Sequence, residues 1–260
     1  MMFDEGSGPT IVIVQPLQGR WQWMRRFLDA LARRYRVITY TLAGDFGSDR
    51  AADPAQGFDR YVRQLEDVID RAGVERTALC GISFGGTVAV RYAALHSERV
   101  THLIVASSPG PGWREDAEQA RYIAHPLLTL PVFLWSAFGR LRAELAASFP
   151  SIEERLAFVV KAGLTALRYP AWPALMAERV RLMQTVDLAA DADRITAPTL
   201  IVTGEPALDR VVRVESTRQY LSHIRGSRYE MMENTGHSGS LTQPERLARI
   251  VGTFVNGSSS

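Results

Sequence analysis

The chain has 260 residues, of which 46% are hydrophobic and 22% are charged. This composition is typical of a globular protein and excludes a disordered or collagen-like chain. A chain of this length buries roughly three quarters of the surface that its unfolded form exposes, which is enough for one large core. The net charge of +2 is too small for the sustained positive field of a sequence-independent nucleic-acid binder, so nucleic acid is not an expected partner.

The sequence also argues against disulfides, export and a membrane span. The single cysteine, Cys80, excludes an intramolecular disulfide and a multi-cysteine metal site. The first ten residues lack the basic and apolar regions of a secretory signal. The apolar run at residues 127–138 is too short to cross a bilayer and contains Pro131. We therefore expect a cytoplasmic protein without a metal, a cofactor or a membrane span.

Short β-branched runs alternate with helical periodicity in the first part of the chain. The predicted strands lie at residues 10–14, 36–42, 77–80 and 100–106. The predicted helices lie at residues 23–31, 58–72 and 84–95. Repeated βαβ units favour right-handed crossovers and a doubly wound, mostly parallel α/β sheet. Only nine residues precede the first buried strand, so we expect no antiparallel strand ahead of it.

The alternation stops at the turn-rich sequence SSPGPGW, residues 107–113. Residues 114–186 contain only helical patterns interrupted by prolines, which predicts several short helices. Strands are then predicted at 198–204 and 228–233, and helices at 212–221 and 243–255. We predict about six parallel strands in all. We also predict that the chain divides into three segments, which are residues 1–112 (first part of the core), 113–190 (an inserted all-helical cap) and 191–260 (second part of the core).

The sequence Gly81-Ile82-Ser83-Phe84-Gly85-Gly86 joins a predicted strand to a predicted helix. A G-x-S-x-G motif in this context forces the serine into a strained and exposed turn, and the flanking glycines avoid collisions with the strand and helix. An ordinary glycine-rich turn is the alternative, but the strand before and the helix after favour the motif. Ser83 is therefore the candidate nucleophile.

A serine nucleophile needs a base and a third group that orients the base. His237 lies in the sequence NTGHS between a predicted strand and the last helix, whereas the other histidines fall in or beside helices and strands. Asp209 follows the strand at 198–204 by a loop that also contains the competing carboxylate Glu205. The chain order serine, acid, histidine favours Ser83, Asp209 and His237 as a catalytic triad.

Through these motifs the chain resembles α/β-hydrolase fold enzymes with a helical cap. The resemblance implies an oxyanion hole formed by two backbone N–H groups, those of Phe84 and Leu17. It also implies a serine hydrolase without a cofactor. One departure is the pair Gln15-Pro16, which stands where the family usually has His-Gly.

The function expected from this resemblance is cleavage of an ester, or a related acyl bond, of a small to medium apolar molecule. The aromatic residues of the insertion favour an apolar pocket, with Trp113, Phe133, Trp135 and Phe138 as candidate lining residues. Hydrolysis of a carbon–carbon bond in a diketone, and a thioesterase or acyltransferase reaction, use the same triad and stay open. So does a small-molecule receptor with negligible turnover, because a fold alone does not determine function. The oligomeric state stays open as well.

Overall fold

The structure is a computed structural model that describes residues 2–51 and 53–257, and the side chains of Pro54, Phe133, Leu134, Ala137 and Phe138 lie outside that description. The strands are β1 (Met2–Glu5), β2 (Thr10–Val14), β3 (Arg36–Tyr40), β4 (Thr77–Ile82), β5 (Val100–Ala106), β6 (Thr199–Thr203) and β7 (Arg228–Met231). They form one seven-stranded sheet in the order β1-β3-β2-β4-β5-β6-β7. Strands β2 to β7 are parallel, which confirms the predicted doubly wound sheet of about six parallel strands.

The prediction that no antiparallel strand precedes the first buried strand was wrong. Strand β1 pairs antiparallel with β3, with Met2 opposite Tyr40 and Glu5 opposite Val37. Only Phe3 of this strand is buried, so the segment lacks the apolar run of a central strand. An edge strand that is paired on one side needs no such run, which is why the sequence pattern did not indicate it.

The α-helices are α1 (Arg25–Ala32), α2 (Asp59–Arg71), α3 (Phe84–Leu95), α4 (Ala117–Ala124), α5 (Leu130–Ser148), α6 (Ile152–Arg168), α7 (Pro173–Met183), α8 (Leu188–Asp193), α9 (Val214–Arg218), α10 (Tyr220–His223), α11 (Gly239–Thr242) and α12 (Pro244–Gly257). The helix predicted over 212–221 is in fact two short helices, α9 and α10. Among the helices of the described residues, none is both long and apolar enough to cross a bilayer.

Apolar side chains cover both faces of the sheet. In β2, Val12 and Val14 belong to one buried cluster, while Ile11 and Ile13 belong to a second. This alternation follows from the two-residue period of a strand, and it explains why β2 and β4 are almost continuously apolar.

Helices α4 to α8 separate β5 from β6 in the sequence, in the region where an all-helical insertion was predicted. Helix α7 packs against α4 and α3, and α8 packs against α3. Helices α5 and α6 carry much of the exposed apolar surface, with Trp135 85% exposed and Leu167 82% exposed. The boundaries 113 and 190, and the role of this segment as a cap, stay predictions.

The chain order creates a switch point beside β2, because β3 and β4 lie on opposite sides of it. In open parallel sheets, ligands bind at the carboxyl ends of the strands at such a point. The loops after β2 and β4 therefore lie where a ligand is expected to bind, and they contain Leu17 and Ser83.

Candidate active site

Ser83 occupies the sharp turn between β4 and α3. Its backbone has φ 53° and ψ −121°, a conformation that residues with a side chain rarely adopt. The turn is held by hydrogen bonds from Ser83 N to Ala106 O and from Gly86 N to Ser83 O, each 2.9 Å long. This geometry lifts the hydroxyl above the carboxyl edge of the sheet, as a nucleophile elbow requires.

Glycine is required two positions before and two positions after Ser83, because other backbone segments approach closely there. A Cβ atom on Gly85 would lie 2.2 Å from the carbonyl oxygen of Val14, and one on Gly81 would lie 2.4 Å from the carbonyl oxygen of Gly85. Both distances are far below van der Waals contact, and neither neighbour is a flexible side chain.

The structure brings together the three residues that the sequence singled out. Ser83 Oγ lies 3.1 Å from His237 Nε2, and His237 Nδ1 lies 3.3 Å from Asp209 Oδ2. The second carboxylate oxygen of Asp209 accepts hydrogen bonds from the amides of Val211 at 3.0 Å and Val212 at 2.9 Å. With Nδ1–H donating to Asp209, Nε2 is left as the acceptor for the Ser83 hydroxyl.

The competing acid has a different contact. Glu205 Oε1 accepts a 2.6 Å hydrogen bond from the backbone amide of Asn234, at the start of the loop that carries His237. It therefore holds the loop rather than the imidazole.

The other histidines with described contacts have partners elsewhere. His96 stacks on Tyr92, His102 packs edge-on against Phe254, and His223 lies 2.9 Å from Asp193. His237 is accordingly the histidine that the fold presents to Ser83.

The surroundings of His237 favour its charged form. Burial by itself disfavours the imidazolium, but the carboxylates of Asp209 and Glu144 outweigh burial and raise the pKa of His237 above its ordinary value of 6.5. Such a shift stabilises the imidazolium that forms when a histidine takes a proton from serine.

Leu17, a predicted oxyanion donor, lies in a loop held by a buried ion pair. Its carbonyl accepts a 2.8 Å hydrogen bond from Arg179 Nη1, and Arg179 Nη2 contacts both the Ala43 carbonyl and the Asp45 carboxylate. The side chains of Arg179 and Asp45 are 0% and 2% exposed. Because Arg179 belongs to α7, an inserted helix is attached directly to this loop.

Phe84, the other predicted donor, begins α3. Its amide is one of the first N–H groups of a helix, which have no intrahelical acceptor. Its ring packs edge-on against Tyr61 at a centroid distance of 5.1 Å, and the Tyr61 hydroxyl accepts a hydrogen bond from Arg179 Nε. The same arginine therefore contacts the Leu17 loop directly and is linked to Phe84 through Tyr61. The role of the two amides as an oxyanion hole stays a prediction.

The structure describes two of the four candidate pocket side chains. Trp113 is half-buried and lines a groove of about 920 Å³ that also contacts Asp209, although neither Ser83 nor His237 is among the described residues lining it. Trp135 is 85% exposed, and its role in lining the pocket stays a prediction. The side chains of Phe133 and Phe138 lie outside the described part of the structure.

Sequence reasoning missed Glu144, a buried carboxylate on α5. It contacts the loop of His237, and its partners are distant in sequence, so no local motif indicated it. Burial raises the pKa of Glu144, and hydrogen bonds from the Thr235 hydroxyl and from the Gly236 and Ser238 amides oppose that effect.

The fold and this geometry define a class, that of parallel-sheet proteins with a serine, histidine and aspartate aligned above the carboxyl edge. The sequence agrees, because the model of the alpha/beta hydrolase family matches residues 7–250. This chain belongs to the alpha/beta hydrolase family.

Several characterised proteins are similar to the chain over nearly its whole length. The 3-oxoadipate enol-lactonase 1 of Acinetobacter baylyi is 26% identical over 252 residues, which are 96% of this chain and 89% of that protein. The 2-hydroxymuconate semialdehyde hydrolase of a Pseudomonas species is 26% identical, covering 98% of this chain and 86% of that protein. The structure of an esterase from Exiguobacterium antarcticum superposes with a TM-score of 0.81 at 21% identity, covering 98% and 94% of the two chains.

Proposed function

We propose that this protein is a serine hydrolase that cleaves an ester bond, open-chain or cyclic, of a small to medium apolar molecule. The observation that carries the proposal is the continuous hydrogen-bonded series from Ser83 Oγ through His237 to Asp209, with distances of 3.1 and 3.3 Å. A strained serine with an adjacent base, and a buried acid behind that base, is the arrangement that nucleophilic catalysis needs.

The proposed reaction has two halves. Ser83 Oγ bonds to the carbonyl carbon while its proton moves to His237 Nε2, and the carbonyl oxygen becomes an oxyanion near the Leu17 and Phe84 amides. The intermediate expels the alcohol oxygen, which takes the proton from His237 and leaves an acyl group on Ser83. Water then gives a proton to His237 and attacks the carbonyl carbon of this acyl-enzyme. The bond from that carbon to Ser83 Oγ breaks, the acid leaves, and His237 returns the proton to Ser83 Oγ.

The ester class is supported by the enol-lactonase relative, since a lactone is a cyclic ester. The relative named for 2-hydroxymuconate semialdehyde acts on a substrate that contains no ester, which keeps hydrolysis of a carbon–carbon bond as a second candidate. The same three residues serve both reactions, so the two candidates differ in substrate and not in nucleophile.

The proposal is tested with a fluorophosphonate probe and a substrate panel. The probe is expected to modify Ser83 in the native protein, as mapped by mass spectrometry. Ser83→Ala is expected to lower the turnover of nitrophenyl esters by at least about 10³-fold, because it removes the attacking oxygen. Ser222→Ala, a change at an exposed serine of α10, is the matched control and should retain full activity.

The panel consists of nitrophenyl esters, an aromatic lactone, a thioester and a diketone. Turnover of the diketone alone would favour the second candidate. Labelling of a serine other than Ser83, or full activity in Ser83→Ala, would contradict the proposal. A folded protein that binds esters without turning them over would instead be a receptor.

A further inference from the structure

Helix α5 buries one carboxylate against the loop that carries His237. Glu144 is 1% exposed. Its Oε1 accepts hydrogen bonds from the Thr235 hydroxyl and from the Ser238 amide, each 2.9 Å long. The Thr242 hydroxyl lies 3.4 Å from the same oxygen.

These contacts bracket His237. Thr235 precedes the histidine by two residues and Ser238 follows it by one, so a single carboxylate binds both sides of the loop. A second contact from α5 lies next to the first, because the Ser148 hydroxyl donates a 2.7 Å hydrogen bond to the Asn234 carbonyl. Asn234 itself has φ 57°, in the left-handed region that residues other than glycine rarely adopt.

Burying a carboxylate is costly unless several donors satisfy it. Here the donors come from the histidine loop and from α11, not from α5 itself. An apolar residue at position 144 would fill the space at a lower desolvation cost, yet it would leave the Ser238 amide and the two threonine hydroxyls without this acceptor. The hydrogen bonds to the histidine loop and to α11 therefore explain why a carboxylate is buried at this position.

We propose that Glu144 is a positioning residue for His237, which fixes the histidine loop by accepting hydrogen bonds from residues before and after the histidine. The inference rests on the proposed function, since it assigns a role relative to the general base. It also gives α5 a part in the enzyme, because this helix would hold the base in place.

The charge of Glu144 adds to this role. The charged groups that act on His237 are Asp209, from the loop after β6, and Glu144, from α5. Both carboxylates favour the imidazolium, so removing either charge should lower the pKa of the histidine.

Two variants separate hydrogen bonding from charge. Glu144→Ala removes the acceptor and the charge, whereas Glu144→Gln retains an acceptor oxygen and removes only the charge. Glu153→Ala, at an exposed glutamate of α6, is the matched control. Each protein is measured for its fold by circular dichroism, for the rate at which a small fluorophosphonate labels Ser83, and for kcat, KM and their pH dependence with nitrophenyl acetate.

Glu144→Ala is expected to remain folded and to lose at least about tenfold in kcat and in the labelling rate, with KM within about twofold, because a displaced base costs rate more than binding. Glu144→Gln is expected to keep its plateau rate within about threefold while the acidic limb of its kcat/KM profile moves to lower pH. Glu153→Ala should match the native protein in every measurement.

A folded Glu144→Ala protein with the native labelling rate would overturn the inference. So would a Glu144→Gln protein as impaired as Glu144→Ala, since acceptance of hydrogen bonds would then not be the role of this residue. Failure of both variants to fold would assign Glu144 to stability alone and overturn the inference as well. If the native protein were not labelled on Ser83 at all, the proposed function would fall, and this inference with it.

Discussion

At the scale of single residues, the site depends on which carboxylate reaches the imidazole. Asp209 has one oxygen near His237 Nδ1 and the other fixed by two backbone amides. Glu205 instead accepts a hydrogen bond from the Asn234 amide. Two acids four residues apart in one loop therefore have different partners, and their substitution should have different kinetic effects.

We predict that Asp209→Asn lowers kcat by about 10³- to 10⁴-fold, because an amide neither fixes the tautomer of His237 nor stabilises its charged form. Glu205→Gln is the matched control and should change kcat by less than about tenfold, since an amide oxygen still accepts from Asn234 N. Steady-state kinetics on one nitrophenyl ester compare the two. A larger loss in Glu205→Gln would move the triad acid to residue 205.

The pH dependence of the native enzyme follows from the raised pKa of His237. The base is active when neutral, so kcat/KM should rise as the pH increases through this pKa, and the midpoint of the acidic limb should lie above 6.5. Asp209→Asn removes a charge that raises the pKa of His237, whereas burial continues to lower that pKa. The acidic limb of this variant should therefore lie at lower pH than that of the native protein. A native midpoint below 6.5 would contradict the assigned balance of burial and charge.

Residues with a local signal were predictable, and those without one were not. Ser83 lies within a glycine motif, and His237 and Asp209 lie in loops directly after predicted strands. Glu144 has partners 91 and 94 positions away, and nothing in the sequence of α5 distinguishes it from a solvated helix charge. Its placement is a property of the folded chain alone.

At the scale of elements, the strand-to-helix turn from β4 to α3 places the strongest demand on sequence. Gly85 lies against the carbonyl groups that end β2, so the nucleophile turn and the proposed oxyanion loop are packed against each other at the backbone level. A side chain here would push the two loops apart.

We predict that Gly85→Ala destabilises the protein by about 1–3 kcal/mol and abolishes labelling of Ser83, because its methyl group would overlap backbone atoms. Gly163→Ala is the matched control. A Cβ added to Gly163, in α6, would have no atom within 4 Å beyond its chain neighbours and the backbone of its own helix, so alanine should stabilise the protein by up to about 1 kcal/mol. Thermal unfolding of both variants, with labelling of the folded protein, gives the comparison. A fully active Gly85→Ala protein would show that the turn relaxes.

Elements were predictable where burial imposes a period. The central strands β2, β4 and β5 and the helix α3 agree closely with their predicted ranges, because each is apolar over most of its length. The edge strand β1 escaped prediction because pairing, not burial, defines it. The split of the predicted 212–221 helix into α9 and α10 depends on local backbone geometry that periodicity does not report.

At the scale of the whole molecule, the inserted helices are bound to the core by buried charged side chains as well as by apolar packing. Glu144 of α5 contacts the histidine loop, and Arg179 of α7 contacts the loop of Leu17 and the loop of Asp45. The first contact reaches the loop of His237, the proposed base, and the second reaches the loop of Leu17, a proposed oxyanion donor. Changes in this insertion should therefore affect catalysis as well as substrate choice.

Arg179 and Asp45 form a buried ion pair, so the loss of one partner should destabilise the protein. Arg179→Ala leaves the Asp45 carboxylate buried without its partner, and burial already raises the pKa of this group. We expect a loss of about 3–5 kcal/mol in the free energy of unfolding, as found when one member of a buried pair is removed. The double variant Arg179→Met with Asp45→Asn should be less destabilised than Arg179→Ala, because no uncompensated charge remains.

The matched control is Arg142→Ala, at an exposed arginine of α5, which should change the free energy of unfolding by less than about 0.5 kcal/mol. Urea unfolding at neutral pH measures all three. A loss below about 1 kcal/mol in Arg179→Ala would mean that water or a neighbouring group compensates Asp45, and the arginine would then not anchor α7 to the core.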